Sequence, residues 1–101
     1  MKTILVIYTF ERLSKKAAQT SRRYSFNTEA RVSVGDMFEA EEYSTPMQVV
    51  EILPKTYRYV DTHSGELSNR RKASTKQFEI RTLEIREDRD NAIVATPYIA
   101  D

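Results

Sequence analysis

The sequence predicts a single, mainly β domain over residues 1–101, a small barrel or sandwich of about six strands with at most one short helix. Three observations carry this. Short segments alternate apolar and polar residues. Gly, Pro, Asn and Asp punctuate them at the spacings of all-β folds. Only Glu11–Arg23 has helical composition. Hydrophobic residues make up 40% and charged residues 31%, which argues against disorder across most of the chain. A chain of this length buries roughly 60–65% of its unfolded surface, enough for one core.

The opening strand is read at Thr3–Phe10, where an apolar run is too short for a membrane helix and lacks a small-residue cleavage site. "ERLSKKAAQTSRR" offers only Leu13, Ala17 and Ala18 as an apolar strip, so residues 11–23 are expected as a long loop or a short helix. Tyr24, Phe26 and Thr28 alternate on one face of a second strand. "ARVSV" continues through Val32 and Val34 to a turn at Gly35-Asp36, and "DMFEAEE" resumes extended structure. "PMQVVEILP" is the strongest strand, bounded by Pro46 and Pro54 and rich in β-branched residues.

"KTYRYVDT" places Tyr57 and Tyr59 on one face and Arg58 and Val60 on the other. Gly65 pivots the turn "HSGE", and "LSNRRKAS" reads as a polar hairpin tip. In "TKQFEIRTLEIRED" the alternation Phe78, Ile80, Thr82 shifts phase to Leu83 and Ile85, the mark of a β-bulge or a barrel corner. An edge strand is expected at Ala92–Ala95, and its open edge would invite a homodimer. The predicted core is Ile4, Val6, Phe26, Val32, Val34 and Phe38, together with Val49, Ile52, Phe78, Ile80 and Ile85.

The chain has no cysteine, which removes disulfides, thiol nucleophiles and thiolate metal sites and suits a reducing, cytoplasmic compartment. Its one histidine, His63, lies in a polar turn and reads as a solvated residue rather than a general base. Asp61, His63 and Glu66 lack calcium-loop spacing and are too few for a closed zinc site. Two separated glycines exclude phosphate-loop fingerprints. The expectation is therefore no enzyme activity, no cofactor and no metal.

Net charge is only +1, but its distribution is uneven. Arg22, Arg23 and Tyr24, then Arg58, set basic residues beside aromatics, and Arg70, Arg71 and Lys72 add a basic loop. That pairing contacts phosphates and stacks unpaired bases, so nucleic acid is the first expected partner. Glu39, Glu41, Glu42 and Tyr43 form an acidic loop, and the alternative is a small inhibitor or adaptor that binds a protein through this loop or a sheet edge. A further alternative is a cavity lined by Tyr and Arg that holds an anionic nucleotide. "RRKAS" is similar to a basophilic kinase site.

The strand before "VSVGDMFEA", the loop after it and "PMQVVEIL" together resemble the layout of SH3-like barrels, including KOW-type domains of transcription and translation proteins. The resemblance covers about Tyr24 to Val60 and the strand after Thr75. It implies a small barrel in which Gly35-Asp36 is an architectural turn. In its compact, cysteine-free and charged make-up the chain is also similar to short accessory proteins of tailed bacteriophages.

Overall fold

The computed structural model describes residues 1–62, 64–69 and 76–85. The protein is mainly β, with two antiparallel sheets that do not close into a barrel among these residues. The first sheet has the order β2-β1-β4-β3, from β1 (Lys2–Tyr8), β2 (Tyr24–Thr28), β3 (Met37–Phe38) and β4 (Met47–Ile52). The second has the order β6-β5-β7, from β5 (Tyr59–Asp61), β6 (Leu67–Ser68) and β7 (Gln77–Glu79).

Register explains the core. Ile4 lies opposite Phe26 and Ile52, and Val6 opposite Tyr24 and Val49, so one face of the first sheet is apolar. Ile4, Val6, Phe26, Phe38, Met47, Val49 and Leu83 bury there, and Val32, Ile52 and Ile85 pack half-buried against them. Between Leu5 and Val6 the register with β4 slips by one residue, leaving Val50 bulged.

On the opposite face Ile7 is buried beside Gln48. Gln48 can be buried because its amide accepts from Leu13 N–H (2.7 Å) and donates to Leu13 C=O (3.0 Å). That clamp lays the 11–23 segment across this face. The segment holds one helical turn, α1 (Lys15–Ala18), whose N-cap Ser14 Oγ accepts from Ala17 N–H. Only Ala18 of α1 is buried, so packing supports nothing longer.

Ser33 to Asp36 form a β-turn closed by Asp36 N–H on Ser33 C=O, with Gly35 at φ 98° where a side chain would be strained. The turn lies where the sequence puts it, but Val34 at its apex is 63% exposed rather than in the core. Residues 30–36 form loop and turn instead of continuing a strand.

The two sheets are joined by buried polar groups. Thr3 Oγ1 donates to Asn27 Oδ1, Asn27 Nδ2 donates to Tyr57 C=O (2.9 Å), and Tyr57 N–H donates to Thr3 Oγ1 (2.8 Å). This closed ring satisfies a fully buried threonine and a buried asparagine at once. The main chain of Asn27 also binds residues 81–83: its N–H donates to Arg81 C=O (3.0 Å) and its C=O accepts from Leu83 N–H (2.7 Å). The phase shift after Ile80 is therefore a change of sheet. The chain leaves β5, where Ile80 N–H bonds Arg58 C=O, and runs parallel beside β2. Phe78, expected in the core, stays behind on the second sheet and is 55% exposed.

Candidate functional site

Residues 82–85 form one wall of a groove of about 670 Å³. Thr28, Glu29 and Ala30, just after β2, and the loop Ala40–Tyr43 supply the rest. Ala30, Ala40 and Leu83 are buried in its floor, while Glu29, Glu41, Glu42 and Glu84 are exposed around it. Four carboxylates of one sign around a small apolar floor give a negative potential with nothing bulky beneath it. Glu29, Glu42 and Glu84 make no ion pair among the described residues.

Tyr43 joins this groove to a second feature. Its ring lies 5.6 Å from that of Phe26 and 6.3 Å from that of Tyr8, and Tyr8 in turn makes an edge contact with Tyr24 at 4.8 Å. Strand register causes the grouping, since Tyr8 and Tyr24 stand on the core face at the end of the sheet where apolar cover stops. A cation sits at each end of the group. The Arg22 guanidinium is 5.3 Å from the Tyr24 ring, and Arg81 Nη1 donates to the Tyr43 hydroxyl at 3.2 Å. Burial, then the neighbouring Tyr43 and Tyr24 hydroxyls, raise the Tyr8 pKa above its ordinary value, with Arg81 acting in the opposite sense. Tyr8 is thus a neutral, amphipathic contact group near neutral pH.

Of the expected protein-binding residues, Glu41, Glu42 and Tyr43 share this groove. Glu39 is exposed but is not part of the groove lining. Glu29, Glu84, Tyr8 and Arg81 belong to the same surface and were not legible as site residues, because strands distant in sequence bring them together. Of the expected nucleic-acid residues, Arg22 and Tyr24 stack on the tyrosine side. Arg23 instead turns to the opposite face and bonds Glu51 at 3.2 Å. Arg58 lies just before β5, beside the second sheet, with its guanidinium 5.6 Å from the Tyr59 ring. Arg70, Arg71 and Lys72, like His63 and the Ala92–Ala95 segment, lie outside the described residues.

Among the described residues no three acidic or histidine side chains stand close enough to hold a metal ion, and no helix is long and apolar enough to cross a membrane. No family model, no curated protein and no solved structure matches this chain.

Proposed function

We propose that the chain is a non-enzymatic protein-interaction module that takes a basic, partly apolar segment of a partner protein into the acidic groove. One observation carries the reading: Tyr43 belongs both to the groove and to the Tyr8/Tyr24 group, making one continuous surface between Arg22 and Glu84. Tyr and Arg are the residues that supply most binding energy at protein interfaces, because they cover much area at small conformational cost. The surrounding glutamates select a cationic partner and steer its approach, although each exposed ion pair contributes only about 0–1 kcal/mol. The lack of cysteine suits a module acting in the reducing cytoplasm. The SH3-like layout read from Tyr24 to Val60 fits a small binding domain.

The same acidic groove disfavours the tyrosine side as a track for phosphates, since Glu29, Glu41, Glu42 and Glu84 would repel them. A nucleotide held against Tyr43 would meet the same carboxylates.

The test is fluorescence anisotropy with two labelled peptides of equal length, one alternating Lys/Arg with Ala and Leu, the other carrying Glu in place of the cations. The basic peptide should bind and the acidic one should not. Glu41→Lys/Glu42→Lys should abolish binding while the melting temperature holds. Equal affinity for both peptides, or indifference to the charge reversal, would defeat the proposal.

A further inference from the structure

The second sheet sorts its residues by face. Val60 lies directly opposite Leu67 on one side and Phe78 on the other, so the three side chains form one row across β6, β5 and β7. Leu67 and Val60 are half-buried, and Phe78 is 55% exposed. Alternation adds Thr62 and Lys76 to this face. Thr62 N–H and Oγ1 both donate to Lys76 C=O, and Lys76 Nζ lies 5.6 Å from the Phe78 ring.

Arg58, just before β5, continues this ladder, because its N–H donates to Ser68 C=O and its C=O accepts from Ile80 N–H, while its exposed guanidinium reaches over the edge to lie 5.6 Å from the Tyr59 ring. The carboxylates take the other side: Glu79 lies opposite Tyr59, and Glu66 precedes Leu67 by one residue, adjoining Asp61 through the backbone. Among the described residues, one face of this ladder therefore carries an exposed ring, two half-buried aliphatic side chains and the Lys76 cation, with no acid, and Arg58 stands at its edge.

We infer that this face binds single-stranded nucleic acid, with an unpaired base stacked on Phe78 and backbone phosphates held by Lys76 and Arg58. The ligand must offer a flat apolar surface and a regular anionic chain together. Single strands do so, whereas a duplex hides its base faces. A purely apolar partner would leave Lys76 and Arg58 desolvated without counter-charges. The site is separate from the groove, so the two proposals stand or fall independently. It also differs from the basic–aromatic set expected from sequence, since Phe78 and Lys76 replace Arg22, Arg23 and Tyr24.

The experiment is fluorescence anisotropy of labelled oligothymidylate and oligouridylate of about 15 nucleotides, and of a duplex of the same length, with protein up to about 100 µM. Single strands should bind at low salt and more tightly than the duplex. Phe78→Leu, which keeps an apolar side chain and removes the ring, should weaken binding at least about fivefold. Lys76→Gln should reduce the slope of log affinity against log salt by about 0.7. Phe78 is exposed, so neither substitution should change the melting temperature, and Glu41→Lys/Glu42→Lys should not weaken binding. Undetectable binding to both single strands would overturn the inference, and so would binding indifferent to Phe78→Leu. Self-association that disappears in Phe78→Leu, without oligonucleotide binding, would overturn it in favour of a second copy. A preference between oligothymidylate and oligouridylate, with the Phe78 effect intact, identifies which strand the face takes and supports it.

Discussion

Asn27 and Thr3 allow the joining of the two sheets to be tested quantitatively. Thr3→Val leaves Asn27 Oδ1 and Tyr57 N–H without their partners, and Asn27→Leu leaves the Thr3 O–H without its acceptor and Tyr57 C=O without its donor. At about 1 kcal/mol for each unpaired group, the low end for sites this buried, each single change costs about 2 kcal/mol. The double variant leaves only the Tyr57 N–H and C=O unpaired, so it also costs about 2 kcal/mol rather than the additive sum of about 4. The coupling energy is therefore about 2 kcal/mol. That is a substantial part of the roughly 5–15 kcal/mol expected for a domain of this size, and each variant should melt about 8–16 °C below the wild type. Urea unfolding of the four proteins measures the cycle. Costs that add to within about 0.5 kcal/mol would show that the ring does not act as a unit, and the account of how the sheets are joined would fall.

Other consequences follow from single positions. Gly35→Ala should destabilise the domain by about 1–2 kcal/mol in urea unfolding, because φ 98° strains any side chain even though open space surrounds the added methyl. Met47→Ala should cost about 2–5 kcal/mol by the same measurement, since Met47 is fully buried between Phe38 and Tyr8 in the register. Phe78→Ser should change stability by no more than about 0.5 kcal/mol although Phe78 stands in a strand. Because folding raises the Tyr8 pKa, the folded state holds that proton more tightly. The associated stability is complete below the ordinary tyrosine value, near about 10, and is lost as pH rises from there through the raised value of the folded state. Tyr8→Phe should flatten this alkaline decline in thermal melts.

Strands whose polarity alternates beside a clear punctuation mark were legible. Tyr24–Thr28 and Met47–Ile52 form where Tyr24, Phe26, Pro46 and the Val49–Ile52 run indicate. The failures share one physical origin. Alternation shows which residues share a face but not which face is covered, so Phe78 and Phe26 look alike in sequence although only Phe26 is buried. Val34 alternates with Val32 yet stands at a turn apex, where no second layer reaches it. Leu83 and Met47 were missed because their burial depends on a segment changing sheets and on pairing with β1 and β3. The groove was half legible: "EAEEY" announces its acidic loop, but Glu29 and Glu84 join it only through the pairing of Asn27 with residues 81–83.

That pairing sets how the two surfaces depend on each other. Phe78 and Leu83 are five residues apart, one on the proposed single-strand face and the other in the groove floor. Between them the chain is held by Arg58 and then by Asn27. The Asn27 side chain also fixes Tyr57, two residues before β5, so one buried residue anchors both surfaces, one through its main chain and one through its side chain. Substitutions on the exposed parts should separate the activities: Glu41→Lys/Glu42→Lys should remove basic-peptide binding alone, and Phe78→Leu should remove oligonucleotide binding alone. Asn27→Leu should weaken oligonucleotide binding, because Tyr57 C=O loses its donor beside β5, and should spare basic-peptide binding, because the main-chain bonds from residue 27 to Arg81 and Leu83 remain. Equal loss of both activities in Asn27→Leu, under conditions where the protein stays folded, would show that the side chain rather than the main chain of Asn27 supports the groove.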